Sequence, residues 1–184
     1  MKHVGTKTIQ TERLLLRRFT LDDAEAMYEN WAKDPEVTKF LRWQPHANLE
    51  VTRALLRDWV SSYEDPSYYS WLIVLKDGNV PIGSIGVLNI SEIDESAEIG
   101  YCMGKAWWDK GLMTEALKAV LQFGFAEVGF NRLEAYHSVN NPASGRVMQK
   151  AGMTFEGIAK QKYSTNLGFH DCNLYAVLKQ EYLK

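Results

Sequence analysis

The chain has 184 residues, 46% hydrophobic and 12% aromatic, enough to bury a sizeable core and most simply organised as one domain. The 21 Lys and Arg against 23 Asp and Glu give a net charge of -2, so no general electrostatic pull toward nucleic acid or an anionic membrane surface operates. The polar N-terminal sequence lacks an apolar signal core and no stretch approaches the ~20 apolar residues of a membrane span, which points to a cytoplasmic protein with no membrane partner.

Residues 1–8 read as a loose lead-in to a domain over 9–184. A first strand is expected over 9–18, where Leu14 and Leu16 alternate with Leu15 and Arg17. Thr20 then starts a helix, with Asp23 at its third position and Ala24, Met27, Tyr28 and Trp31 on one face; Asp34-Pro35 ends it. The loop 42–46 carries Arg42, Trp43 and His46, groups that suit either a substrate mouth or a connection packed down by its own Trp. Asn48 caps a further helix whose stripe is Val51, Leu55, Trp59 and Tyr63.

β-rich runs at 68–75 and 80–90 flank Asp77-Gly78, a hairpin signal, and a third run follows at 97–103. That strand leads into Trp107-Trp108-Asp109-Lys110-Gly111-Leu112-Met113-Thr114 and an amphipathic helix carrying Leu117, Val120 and Leu121. Free N–H groups and the dipole at a helix start suit a phosphate, and Gly111 allows close approach; an ordinary strand-to-helix turn has the same local pattern. Residues 132–139 read as a strand parallel to the one before the helix, because the connection is a crossover. A helix starts at Asn141-Pro142 and ends at Gly152, and strands at 155–163 and 172–179 are joined by a loop through Asn166, Gly168 and His170. The order β-α-α-β-β-β-α-β-α-β-β describes an α+β fold with a mixed, largely antiparallel sheet of about seven strands and helices on both faces. Cys102 and Cys172 fit reduced core thiols, and His3, His46, His137 and His170 lack metal-ligand spacing, so no metal is expected.

Thr11-Glu12-Arg13-Leu14, Asp34-Pro35-Glu36-Val37, Ala97-Glu98-Ile99-Gly100-Tyr101, the stretch 108–116, Asn141-Pro142-Ala143-Ser144 and Lys150-Ala151-Gly152-Met153 with Glu156-Gly157 together resemble the GNAT superfamily. These are acetyl-coenzyme A dependent N-acetyltransferases, and the resemblance, over residues 11–178, is closer to the Rim-type branch that includes ribosomal-protein N-terminal acetyltransferases. The family's phosphate loop falls on Trp108, Gly111 and Met113; Gly111 keeps the pattern and the other two depart from it, Met113 being bulkier than the usual small residue.

The resemblance implies that Gly111, Leu112, Met113 and Thr114 hold the pyrophosphate by backbone amides, with Lys110 as a screening charge. It also implies that the strand through Tyr101, Cys102 and Met103 splays from the strand through His137 and Ser138 to admit the pantetheine arm. Acyl transfer to an amine needs a neutral nucleophile, an oxyanion donor and a proton for the departing thiolate. Glu98 matches the family's general-base position and Ser144 its serine near the sulfur; the Cys102 N–H is the expected oxyanion donor. Asn141 matches a residue that holds the pantetheine or acceptor amide, although a turn beside Pro142 also explains it. Tyr101, His137, Tyr163 and Tyr175 are further candidate proton donors. Arg42, Trp43, His46 and His170 would line the acceptor mouth.

The implied function is transfer of acetyl from acetyl-coenzyme A to a primary amine in a ternary complex, with a protein N-terminus as acceptor and the enzyme a monomer or homodimer. A small-molecule acceptor such as an amino acid, polyamine or antibiotic is the alternative. A non-catalytic acyl-coenzyme A binding module is the reading from another class, and a nucleotide enzyme is disfavoured because no Gly-x-x-x-x-Gly-Lys-Ser/Thr loop is present.

Overall fold

The computed structural model describes residues 1–183; Lys184, the last residue of the expected domain, lies outside them. The first apolar run forms two strands, β1 (Ile9–Gln10) and β2 (Leu14–Arg17). Thr11 turns the chain between them: its N–H donates to the Leu14 carbonyl at 3.0 Å and its hydroxyl accepts the Leu14 N–H at 3.0 Å. The turn's side-chain bonds compete with strand continuation, which is why one expected strand becomes a hairpin.

Asp23 organises the next segment. It accepts from the Thr20 N–H at 2.7 Å and pairs through both oxygens with Arg17, and a 3-10 turn, α1 (Ala24–Met27) and a π turn (Tyr28–Ala32) follow. Asp34 caps α2 (Pro35–Thr38) through the Glu36 N–H, and Asn48 caps α3 (Leu49–Ser62) through the Val51 N–H. Strands β3 (Tyr69–Leu75) and β4 (Val80–Ser91) form the expected hairpin, with Gly78 at φ +74° in its turn, and β5 (Ser96–Met103) pairs back on β4. Helix α4 (Leu112–Phe123), β6 (Arg132–Ser138), α5 (Pro142–Lys150), β7 (Thr154–Thr165), β8 (Gly168–Leu178) and a short α6 (Lys179–Tyr182) complete the described chain.

Among the described residues the sheet has eight strands in the order β1-β2-β3-β4-β5-β6-β8-β7, antiparallel except for the parallel pair β5-β6 made by the α4 crossover. The α4 and α5 face carries the larger core, with Trp71, Ile85, Leu117, Val120, Phe125 and Leu133 among its buried residues. The α1 and α3 face packs Leu72 and Val74 of β3 against Phe19, Met27, Trp31 and Leu56. Alternation along β3 thus assigns each side chain to a face.

Residues 1–8 form no regular element, but they are docked rather than loose. The Lys2 N–H donates to Val128 O at 2.8 Å, the Gly5 N–H to Pro66 O at 2.9 Å, and buried Thr6 donates to Tyr68 O at 2.9 Å. The polar composition that suggests a tail instead satisfies backbone groups beside β3.

Candidate active site

At the end of β5, the Trp108 indole N–H donates to the Met103 carbonyl at 2.7 Å and folds the following loop back on the strand. Asp109 at φ +59° and Gly111 at φ +74° then turn the chain into α4, with Gly111 as its N-cap. The Glu115 N–H is the first to be used within the helix, donating to Gly111 O at 3.1 Å. The N–H groups of Leu112, Met113 and Thr114 are therefore without intrahelical partners. Glu115 fastens this turn to the β1-β2 hairpin: it accepts from the Thr11 hydroxyl, from the Arg13 N–H at 2.8 Å and from the Arg13 Nε at 2.7 Å. Arg13 also donates to the Lys110 carbonyl at 3.0 Å, so the loop is tied on both sides of Gly111.

A groove of about 370 Å³ starts at this turn and is lined by Gly111, Leu112, Met113 and Thr114 together with Asn141, Ser144, Arg146 and Lys150. Lys110 does not line it. Its ammonium is turned away and donates to Ala106 O at 2.8 Å. The cations that do reach the groove are Lys39, Arg146 and Lys150. Arg146 and Lys150 stand four residues apart on α5, a helical spacing that was open to a sequence search and that sequence reasoning missed.

The parallel pairing of β5 with β6 consists of Ser96↔Arg132, Ala97↔Leu133 and Glu98↔Glu134, although β5 runs to Met103 and β6 to Ser138. Beyond Glu98 the two strands diverge. The bond from Gly104 N–H to Ile82 O at 2.9 Å fixes the alternation of the β4-β5 ladder, which continues through Cys102↔Ser84 and Gly100↔Gly86. Even-numbered residues at this end of β5 therefore turn their backbone groups to β4, and Ile99, Tyr101 and Met103 turn theirs to the gap. This corrects the expectation for Cys102: its N–H is committed to β4, and Tyr101 and Met103 supply the open amides. The Cys102 thiol lies 3.3 Å from the Ser84 hydroxyl, and burial pushes it up from its ordinary pKa.

Tyr101 reaches across to α5, its hydroxyl 2.9 Å from Ser144 Oγ and 3.0 Å from Ser144 O. Burial raises the Tyr101 pKa well above that of a free phenol, so the group stays protonated. Asn141 makes no side-chain cap bond, which leaves its amide free at the same place. A second cavity, of about 620 Å³, meets the groove where both are lined by Phe40, Leu41, Tyr101, Cys102, Asn141 and Ser144.

Glu98 lines this second cavity and accepts from the Asn89 amide at 2.9 Å. Arg42 and Trp43 line it as well. Arg42 donates to the Tyr136 hydroxyl at 3.3 Å and lies 4.5 Å over the Tyr163 ring. His46 and His170 line neither cavity. His46 is buried against the Thr52 hydroxyl at 2.8 Å, with desolvation holding its pKa below the ordinary value. His170 belongs to β8 rather than to a loop; it is buried with its Nδ1 2.8 Å from the Ser138 hydroxyl. Among the other donor candidates, His137 and Tyr163 line the second cavity, whereas Tyr175 is buried on the α5 face and meets Gln149 at 3.0 Å.

Residues 13–154 match the acetyltransferase (GNAT) domain, well over half of the chain. The protein belongs to the GNAT family. This GNAT chain is 30% identical over 171 residues to the uncharacterized N-acetyltransferase YoaA of Bacillus subtilis, covering 93% of the chain and 96% of that protein. It is 27% identical to the ribosomal-protein-serine acetyltransferase of Escherichia coli, covering 93% and 96% respectively. The crystal structure of a GNAT-family acetyltransferase from Bacillus anthracis superposes with a TM-score of 0.82 at 29% identity, covering 95% of this chain and 100% of that one. The GNAT enzyme is thus an acetyl-coenzyme A dependent N-acetyltransferase with relatives of the Rim type. Among the described residues no group of three or more His, Cys, Asp or Glu is placed to hold a metal ion, and no helix is long and apolar enough to cross a membrane.

Proposed function

We propose that this GNAT enzyme acetylates the α-amine of a protein or peptide N-terminus by direct attack in a ternary complex. The observation that carries the proposal is the meeting of the two cavities at the divergence of β5 and β6, beside Tyr101 and Ser144. The name of the Escherichia coli relative supports the choice of acceptor.

The residues present fit acetyl-coenzyme A. A diphosphate suits the free amides of Leu112, Met113 and Thr114, reinforced by the helix dipole and by Arg146 and Lys150. An amide-bearing arm suits the open edge of β5, where Met103 presents its N–H and leaves the Tyr101 N–H for the reacting carbonyl. The cosubstrate supplies an activated acetyl group as a thioester.

The chain's own groups then divide the work. The Tyr101 N–H is directed at the gap, where it stabilises a carbonyl oxygen as negative charge grows on it. Ser144, backed by the protonated Tyr101 hydroxyl, offers a hydrogen bond to the departing sulfur. Glu98, oriented by Asn89, takes the acceptor's proton directly or through a water. An α-amine with pKa about 7.7–8.0 is partly neutral at pH 7, so the demand on Glu98 is modest there and grows as pH falls.

The test is coenzyme A thiol release with peptides, free amino acids, polyamines and aminoglycosides as acceptors. Release with peptide N-termini is the expected result, and release with small amines alone would refute the acceptor assignment. Glu98→Gln is expected to lower kcat/KM by about 100-fold at pH 6 and to recover toward wild type above pH 9, where the amine is neutral without help. A loss independent of pH would remove Glu98 as the base. Ser144→Ala should lower kcat about tenfold with coenzyme A affinity unchanged.

A further inference from the structure

The floor of the acceptor cavity is unusually bare. Leu72 and Val74 of β3 face α1 and α3, so Ser70 shares that face by alternation. Register places Gly86 beside Ser70, and Gly100 beside Gly86. Three neighbouring strands therefore contribute one hydroxymethyl group and two hydrogens to a single row. With strands about 4.8 Å apart, the row is a trench about 10 Å long across β3, β4 and β5.

The β5 end of the trench is Gly100, and Glu98 lies two residues along β5 on the same face, opposite Leu88. Toward the other end, Trp59 and Tyr68 line the cavity, and Phe40 and Trp43 border it from the segment after α2. Trp59 is braced edge-on against Phe19, with ring centroids 5.0 Å apart, and Tyr68 against Tyr63 at 5.3 Å. Leu88 overhangs the Gly100 end, and beyond it rigid aromatic walls around the bare Ser70–Gly86 floor make a recess shaped for an apolar group.

We propose that this trench receives the side chain of the acceptor's first residue, and that the preferred acceptor carries a large aromatic or apolar group there. The inference rests on acyl transfer to an amine held at Glu98. A phenylalanyl or leucyl side chain directed from that point toward Ser70 lies over the glycine pair and between Trp59 and Tyr68. An alanyl or seryl side chain leaves those walls in contact with water and forgoes the apolar burial.

The experiment compares peptides identical except for N-terminal Phe, Leu, Ala or Ser, alongside phenylalanine amide and alanine amide, with wild type, Gly100→Val and Gly100→Ala. Gly100 is not at positive φ, and an added Cβ there meets only Leu88 Cδ1, at 3.1 Å, so the alanine variant tests the floor without backbone strain. Wild type is expected to favour the Phe over the Ala peptide by about tenfold or more in kcat/KM, since one methylene in an apolar pocket already discriminates about 10- to 200-fold. That ratio should fall about tenfold in Gly100→Val and by less in Gly100→Ala, with coenzyme A affinity as in wild type. Equal rates for Phe and Ala acceptors in wild type, or a ratio unchanged in both variants, overturn the trench assignment while N-terminal acetylation stands. Turnover of the amides alone, with the same Phe preference, overturns the peptide acceptor and keeps the trench. No turnover of any member of the panel overturns both.

Discussion

At φ +74°, Gly111 sits where an L side chain is strained, and its backbone forms the turn that presents the amides of residues 112–114. Gly111→Val is expected to weaken coenzyme A binding at least tenfold by calorimetry with the global fold intact; wild-type affinity would show that the turn does not hold the phosphates. Gly145 has a different constraint. A Cβ there would stand 2.4 Å from His137 Nε2, so α5 approaches β6 as closely as it does only because the position is bare. The His137 ring is anchored by Nδ1 to the Ser138 carbonyl at 2.7 Å and cannot swing freely. Gly145→Ala should therefore destabilise by about 1–3 kcal/mol in urea denaturation, as overpacking does, and a neutral effect would contradict this packing. At this scale the sequence was readable where chemistry is backbone-borne, as at Gly111. It was unreadable at His46, His170 and Lys110, because a residue type does not say whether its side chain turns to a cavity or to a neighbouring hydroxyl or carbonyl.

Between elements, the bond set of Glu115 ties the start of α4 to the β1-β2 hairpin, 102 residues away in sequence at Arg13. Burial alone would raise the Glu115 pKa, but hydrogen bonds from Thr11 and Arg13 more than offset it and leave the carboxylate ionised. Glu115→Ala is expected to cost about 1–2 kcal/mol of stability, from the donors left unmatched, and to raise the KM for acetyl-coenzyme A with little change in that for the acceptor. Equal effects on both KM values would point to general loosening instead. Strand and helix positions were legible from periodicity, the Asp77-Gly78 turn and the cap at Asn48, whereas Asp34, read as the end of one helix, caps the next. The irregularity of β4 at Asn89, φ +48°, was not legible: it depends on pairing with β5, where the Asn89 amide reaches Glu98. The splitting of the first strand at Thr11 was likewise decided by side-chain bonds that periodicity does not register.

Over the whole molecule, two buried histidines set the response to mild acid. Desolvation lowers the pKa of His46 and of His137 below the ordinary value, so the unfolded chain binds more protons than the folded one as pH falls. Their contribution is complete above about pH 6.5 and is lost as pH drops toward the folded values. Asp23 acts in a lower window: burial raises its pKa, but Arg17 and Thr20 hold it below the ordinary carboxylate value, so its contribution disappears below about pH 4. Urea denaturation across pH should show stability declining below about pH 6.5, and His46→Gln should flatten that part of the curve. A variant with the same slope as wild type would exclude His46 as a source. The sheet as a whole was legible because the α4 crossover forces β5 and β6 parallel. The splay at residues 101–103 was implied by the family resemblance alone; periodicity does not register how far two strands stay paired, and the pairing ends at Glu98.

The most direct measurement is amide hydrogen exchange of the protein with and without coenzyme A. Binding should slow exchange at the amides of Leu112, Met113 and Thr114 and at those of Tyr101 and Met103 on the open edge of β5, while Cys102, already bonded to β4, changes little. Tight binding with no added protection at either group of amides would contradict the placement of the cosubstrate between the Gly111 turn and the divergence of β5 and β6.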